Sequence, residues 1–85
     1  DQVYITFDLD GFDSSLMPST GTPEPGGLQW NQAMVLLRRV AEKKKIIGLD
    51  VVELCPNPSN LAPDYLAAKL VYKILSYQHF YHPQA

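Results

Sequence analysis

Two extended apolar segments, each followed by a helical pattern, constrain the fold of this chain most strongly. Residues 2–10 alternate between apolar and polar side chains, which is typical of a strand. Residues 46–54 form a near-continuous apolar run, typical of a strand that is buried on both faces. Residues 30–43 and 62–77 carry apolar side chains at helical spacing. This order predicts strand, helix, strand, helix, with parallel strands joined by a right-handed crossover.

The predicted fold class is therefore α/β, and its size is that of a βαβα fragment. Two parallel strands cannot form a buried sheet alone, so we expect further strands to pair with them. The first residues already have the pattern of a strand and no initiating methionine precedes them, which indicates a piece of a longer protein. We expect the tail, residues 78–85, to fray or to pack on a neighbour.

Charge and cysteine content narrow the possible partners and location. A net charge of −2 does not indicate the basic surface with which proteins bind nucleic acid. The run of lysines at 43–45 is interpreted as a solvated helix end. No run of about 18 apolar residues that could span a bilayer is present.

The single cysteine, Cys55, fits a reducing compartment, so the cytoplasm is the expected location. We expect Cys55 to be a small buried side chain rather than a nucleophile.

The connection between the first strand and the first helix is unusually long for so small a chain. Residues 11–28 are rich in glycine, proline, serine and threonine, which excludes regular structure. Loops longer than about 12 to 15 residues are usually functional or disordered. Within this loop, Asp13 is expected to fix the backbone rather than to bind a metal ion.

Three carboxylates are candidates for chemistry. Asp8 and Asp10 stand two residues apart, so on a strand they point to the same side, about 6.5 to 7 Å apart. They lie at the strand's C-terminal end, where ligands bind in open parallel sheets. Glu53 occupies the same end of the second strand, on a face expected to be buried. The alternatives are a solvated turn for the aspartates and a solvated loop position for Glu53.

Two families resemble the segment that contains the aspartates. Residues 7–11, with the sequence FDLDG, look like the opening motif of haloacid-dehalogenase-like phosphatases, in which the first aspartate accepts a phosphoryl group. The match fails at Phe12, where that family has threonine or valine, and no later lysine and aspartate-pair motif follows. The phosphatase is therefore the weaker alternative.

The second resemblance is to the ureohydrolases, the arginase and agmatinase family, and it covers essentially the whole chain. Residues 6–13 and 17–28 are similar to the family's aspartate-rich signature and the loop that follows it, and residues 48–56 are similar to its last strand. The resemblance implies that residues 1–85 are the C-terminal part of a three-layer α/β/α arginase-like domain. It also implies a homo-oligomer with two manganese ions and a guanidino substrate, agmatine or arginine.

The resemblance assigns roles to four residues. Asp8 resembles the carboxylate that bridges two manganese ions, and Asp10 resembles a ligand of one of them. Thr22 and Glu53 resemble the groups that orient the guanidinium of the substrate, and Asp10 and Glu53 are the catalytic candidates. In the implied mechanism the two ions lower the pKa of a bridging water, and the hydroxide attacks the guanidinium carbon to give urea and an amine.

The chain departs from the family pattern in two ways, and the second limits what it can do alone. Ser14 stands where proline is usual, which affects the loop but no ligand. The family's other ligands, a histidine and an Asp-x-His-x-x-x-Asp cluster, are missing, and His79 and His82 in the tail are expected to be surface residues. We therefore expect the 85-residue chain to be inactive alone. The non-enzymatic alternative is a fragment that self-associates through strand edges and an exposed helix face.

The aromatic residues on the two predicted helices are expected to serve packing rather than binding. They are Trp30, Tyr65, Tyr72 and Tyr77.

Overall fold

The computed structural model describes residues 1–83 and has the predicted order of strands and helices. Its elements are strand β1 (Gln2–Asp8), a 3-10 turn (Leu9–Gly11), helix α1 (Trp30–Lys43), strand β2 (Lys45–Val52) and helix α2 (Ala62–Tyr81). The two strands pair in parallel, as the crossover requires. Within residues 1–83, neither α1 nor α2 qualifies as a candidate membrane span.

The parallel pairing contains one irregularity. Val3 lies opposite Ile46, but Tyr4 lies opposite Gly48, so Ile47 has no partner on β1. The Tyr4 ring then lies over Gly48, where a Cβ atom would be only 2.8 Å from two ring carbons. A glycine is therefore required at position 48 for the ring to rest against β2.

Both helices pack on one face of the sheet and enclose the core. The alternate residues of β1 that face the helices include Phe7, whose ring centroid lies 5.1 Å from that of Phe12 in the loop. Phe12 in turn stacks on Trp30 at 6.2 Å, which fixes the start of α1 against the loop. The buried apolar core comprises Phe7, Leu9, Phe12, Met17, Ala33, Met34, Leu37, Ala41, Ile46, Leu66, Ala67, Leu70 and Ile74.

Strand β1 ends two residues earlier than predicted. The Asp8 carboxylate accepts a hydrogen bond from the Asp10 N–H at 3.1 Å, and this bond caps the 3-10 turn that begins at Leu9. Leu9 is completely buried, so the turn is also held by the core. The expectation that Asp8 and Asp10 share one face of a strand is therefore wrong, because the second aspartate lies in a turn.

Strand β2 also ends early, at Val52, and is not buried on both faces. Ile47 is 58% exposed, and Leu49 and Val51 are only partly buried. The cause is that no element within residues 1–83 covers the second face of the two-stranded sheet. Glu53 lies just beyond the strand and is exposed, so the expectation of a buried carboxylate there is wrong.

Helix α2 continues four residues beyond the predicted end, to Tyr81, because its last turns are tied to the other elements. The Gln78 side chain accepts a hydrogen bond from the Ile46 N–H at 2.9 Å. Nε of Arg38 donates to the Tyr81 hydroxyl at 3.3 Å. Residues 78–81 are thus ordered helix, and the expectation of a frayed tail is wrong for them; residues 84 and 85 lie outside the described part.

The two tail histidines differ in exposure. His79 is exposed as predicted, but His82 is half-buried, with a ring nitrogen 3.0 Å from the Ala41 carbonyl oxygen. Cys55 is exposed, so its predicted burial is wrong. Tyr65 and Tyr72, which were predicted to serve packing, are 70% and 65% exposed.

Candidate metal and substrate site

The carboxyl ends of both strands lie at the same edge of the sheet, with Asp8 opposite Val52. The loop of residues 12–29 folds back over this edge before α1 begins. Two isolated bridges, Phe12 with Leu28 and Asp13 with Glu24, close the loop on itself. The Cys55 N–H donates to the Ser19 carbonyl at 2.8 Å, which ties the loop to the segment after β2. One long loop therefore lines this edge of the sheet.

Three of the four predicted site residues form one hydrogen-bonded chain. The Asp8 carboxylate accepts from the Asp10 N–H at 3.1 Å, and the Asp10 carboxylate accepts from the Thr22 hydroxyl at 2.8 Å. Thr22 is twelve residues from Asp10 in sequence, so this bond closes the loop across the strand end. The structure thus brings Asp8, Asp10 and Thr22 together.

Asp13 fixes the backbone of the loop, as predicted. Its carboxylate accepts hydrogen bonds from the Ser15 hydroxyl, the Ser15 N–H at 2.9 Å and the Gly26 N–H at 2.7 Å. These donors, with the Ser15 hydroxyl contributing most, lower the pKa of Asp13 to about 2. The side chain is therefore ionised near neutral pH and joins the two ends of the loop.

Gly27 allows the closest backbone approach in this region. A Cβ atom at this position would lie 2.6 Å from the Phe12 carbonyl carbon and 2.7 Å from both the Asp13 nitrogen and the Gly11 oxygen. The adjoining Leu28 exchanges backbone hydrogen bonds with Gly11 and Asp13, at 2.9 and 2.8 Å. Only glycine leaves room for this pairing.

Glu53, the fourth predicted site residue, has a left-handed backbone with φ of +75°. This conformation is costly for a residue with a side chain, and such strain often occurs at functional sites. The hydrogen bond from the Cys55 N–H to the Ser19 carbonyl anchors the segment just after it. Within residues 1–83, no hydrogen bond joins Glu53 directly to the chain that begins at Asp8. The loop therefore links Glu53 to the site only indirectly.

The aspartates fit part of a metal site. Carboxylate oxygens suit hard ions such as manganese and magnesium. Asp8 and Asp10 each use one oxygen in the bonds above, and the other oxygen makes no hydrogen bond with the described residues. Across residues 1–83, however, no three histidine, cysteine, aspartate or glutamate side chains converge to hold an ion. The residues present thus match two ligands of a larger set.

Sequence reasoning did not single out the polar cluster one step below this edge. The Asp50 carboxylate accepts from the Tyr4 hydroxyl at 3.1 Å and from the Thr6 hydroxyl at 3.5 Å, which joins the two strands. The other Asp50 oxygen is buried and has no partner among the described residues. An aspartate inside an otherwise apolar strand was the available signal. Thr20, whose buried hydroxyl also has no described partner, carried no such signal.

Comparison with known proteins gives a consistent result. The chain is 43% identical over 76 residues to N(1)-aminopropylagmatine ureohydrolase of Synechocystis sp., which covers 89% of this chain and 25% of the relative. It is 37% identical over 73 residues to agmatinase of Pyrococcus horikoshii, covering 86% of this chain and 26% of the relative. Proclavaminate amidino hydrolase from Streptomyces clavuligerus superposes with a TM-score of 0.85 at 34% identity, covering 95% of this chain and 28% of that structure.

These comparisons confirm the predicted arginase-like α/β fold. The chain spans about a quarter of the length of the relatives that it matches. Residues 1–76, which are most of the chain, match the sequence model of the Arginase family. This match favours the ureohydrolase resemblance over the phosphatase alternative. The chain belongs to the arginase family.

Proposed function

We propose that the complete protein is a metal-dependent ureohydrolase, which cleaves a C–N bond of a guanidino compound to release urea and an amine. The observation that carries this proposal is the hydrogen-bonded chain of Asp8, Asp10 and Thr22 at the carboxyl edge of the sheet. Glu53 follows the neighbouring strand at the same edge. Family membership supplies the reaction class, and these residues supply the corresponding groups.

Asp8 and Asp10 would hold two manganese ions together with ligands from other parts of the protein. When bound, such ions supply Lewis acidity and activate a water molecule for attack on the guanidinium carbon. The Asp10 N–H donates to Asp8 and the Thr22 hydroxyl donates to Asp10, so each carboxylate is held in one orientation. Orientation of this kind strengthens a metal site, because each ligand is fixed before the ion arrives.

Glu53 and Thr22 would bind the guanidinium of the substrate. A carboxylate accepts two parallel charge-assisted hydrogen bonds from a planar guanidinium, which fixes both position and plane. Each such bond contributes about 1.5 to 3 kcal/mol. Glu53 is exposed at the strand end and its backbone is held after residue 54, so its carboxylate is free to meet a ligand.

Agmatine is the proposed substrate, with arginine as the second choice. Two similar proteins are named for agmatine or an aminopropyl derivative of it, which supports a substrate with a guanidinium at one end and an amine at the other. We also propose a homo-oligomer and a cytoplasmic location, the latter supported by the single exposed cysteine.

The test is urea release by the complete protein with added manganese, on agmatine and on arginine. Glu53→Gln keeps the size of the side chain but removes its charge, and we expect kcat/KM to fall about 100-fold, the equivalent of about 3 kcal/mol. Glu24→Gln is the matched control, because Glu24 is an exposed glutamate of the same region. Urea release that is unchanged by Glu53→Gln, or phosphate release that depends on Asp8, would refute the proposal.

We also propose that the 85-residue chain is inactive by itself. Asp8 and Asp10 are too few ligands for two ions, since a bound metal normally takes at least four. An assay on a sample with an intact mass near 9.5 kDa tests this. Urea produced by that sample would mean that several copies build a site between them, and self-association without urea would favour the non-enzymatic alternative for this chain.

A further inference from the structure

Asp10 and Glu53 both lie beyond the hydrogen bonds of the sheet. The parallel pairing of β1 with β2 ends at Asp8 and Val52. Asp10 follows in the 3-10 turn, and Glu53 follows β2 with a left-handed backbone. The pairing of the strands therefore does not fix the position of one carboxylate relative to the other. If both carboxylates serve one substrate, another contact has to set their separation.

Four residues of the long loop join these two ends of the site. In this linking segment, residues 19–22, the Ser19 carbonyl accepts the Cys55 N–H at 2.8 Å. At the other end of the segment, the Thr22 hydroxyl donates to the Asp10 carboxylate at 2.8 Å. Three residues of fully extended chain span at most about 10 to 11 Å. The linking segment thus limits how far the turn at Asp10 can move from the backbone that follows β2.

The linking segment is held against the core at its first two residues. Ser19 and Thr20 are only 7% and 8% exposed, and Met17, two residues before Ser19, is completely buried. The buried Thr20 hydroxyl has no hydrogen-bond partner among the described residues, which is unfavourable. The packing of the segment outweighs this penalty, so its attachment to the core is firm.

The backbone of Glu53 depends on the contact with Ser19. A left-handed backbone is unfavourable for any residue with a side chain, so surrounding contacts must hold it. Within residues 1–83, the bond from the Cys55 N–H to Ser19 is the first hydrogen bond on the C-terminal side of Glu53. Loss of that bond would let the backbone relax and turn the Glu53 carboxylate.

We propose that the linking segment positions Glu53 relative to Asp10 and thereby sets the distance between the guanidinium and the metal-binding end of the site. This inference rests on the proposed function, in which Asp10 binds manganese and Glu53 binds the guanidinium. Attack on the guanidinium carbon requires the reacting atoms to lie about 3 to 3.5 Å apart, and a misplacement of about 1 Å lowers the rate on the order of 100-fold. A change in the length of the segment should therefore lower kcat more than it changes the affinity for either ligand.

The first experiment changes the length of the linking segment in the complete protein. One glycine inserted after Gly21 adds up to about 3.5 Å between Ser19 and Thr22. One glycine inserted after Pro23 is the matched control, because this position is exposed in the same part of the loop but lies outside the segment. With saturating manganese and agmatine, the first insertion should lower kcat at least about 30-fold and the control less than about threefold. The manganese Kd, measured by titration calorimetry, and KM should change less than about threefold in both variants.

The second experiment measures the link without metal or substrate. Hydrogen exchange at the Cys55 N–H, followed by NMR in the metal-free complete protein, reports on the bond to Ser19. Thr22→Val removes the hydroxyl at nearly constant volume and so releases the far end of the segment from Asp10. This release should speed exchange at Cys55 at least about fivefold. Thr22→Ser keeps a hydroxyl and should retain the slow exchange of the wild type.

The outcomes separate this inference from the proposed function. Equal kcat for the two insertions, or exchange at Cys55 that Thr22→Val leaves unchanged, would overturn the inference while urea release by the wild type still supports the function. A wild type that shows the expected exchange but releases no urea would refute the function and not the link. If the insertion after Gly21 prevents folding, the exchange at Cys55 decides.

Discussion

Replacing Gly27 by alanine should detach the long loop from the strand end. The new Cβ would lie 2.6 to 2.7 Å from three backbone atoms of residues 11–13, about 1 Å inside normal contact. These atoms cannot move aside easily, because Phe12 is completely buried and because Leu28 is hydrogen-bonded to both Gly11 and Asp13. Relief of the overlap therefore requires the loop to separate from the backbone beside it.

The expected cost follows from those contacts. Overpacking of this kind costs about 1 to 3 kcal/mol. Loss of the two backbone hydrogen bonds of Leu28 adds about 1 kcal/mol each. Gly27→Ala should thus lower the free energy of unfolding by about 3 to 5 kcal/mol, a large part of the total stability of a typical domain.

The assay is denaturant unfolding of the complete protein together with titration of manganese. Gly21→Ala is the matched control, because a Cβ at Gly21 in the same loop meets nothing within 4 Å. That control should change the unfolding free energy by less than about 0.5 kcal/mol. At the proposed manganese site, Gly27→Ala should also weaken manganese binding, since the loop carries the Thr22 hydroxyl that holds Asp10. A Gly27→Ala protein as stable as Gly21→Ala would refute the reasoning.

Three further predictions concern the loop, the strand end and the sheet. The folded pKa of Asp13 is about 2, below its usual 3.8. The ionised carboxylate therefore contributes its full stabilisation above about pH 4, and this contribution is lost as the pH falls towards 2. The destabilisation caused by Asp13→Asn, measured by denaturant unfolding, should shrink over that window. Glu53→Gly should be more stable than Glu53→Ala by about 1 kcal/mol in thermal unfolding, because only glycine relieves the left-handed backbone; equal stability would contradict this. Gly48→Ala should push the Tyr4 ring off β2 and break the hydrogen bond from the Tyr4 hydroxyl to Asp50, which lowers the unfolding free energy by about 1 to 2 kcal/mol. Tyr4→Phe removes only that hydrogen bond, so it should lower the unfolding free energy by less than Gly48→Ala does.

The strand and helix order could be predicted because each element carries its own pattern. The alternation in residues 2–8 and the helical spacing in 30–43 are local properties of the sequence, and both elements form where predicted. The end of β1 could not be predicted so well. The cap by Asp8 and the burial of Leu9 compete with strand continuation, and their strength depends on the packed core.

The candidate site, too, could be predicted only in part from the sequence. The sequence named Asp8, Asp10, Thr22 and Glu53 through a resemblance to known enzymes, and their roles stay predictions. It did not predict that the Thr22 hydroxyl would reach Asp10 across twelve residues. That contact joins a turn to the middle of a long irregular loop, and no local pattern reveals it.

By itself, the sequence determined the parallel βαβα order, the family and the positions of the four candidate residues, because periodicity and motif spacing are written along the chain. Only the tertiary structure decided that Asp10 lies in a turn, that Glu53 is exposed with a left-handed backbone, and that Tyr65 and Tyr72 on α2 are exposed. The physical reason is that these features arise from contacts between segments far apart in sequence. Burial in particular depends on what lies against a residue, whereas a pattern records only that the residue is apolar.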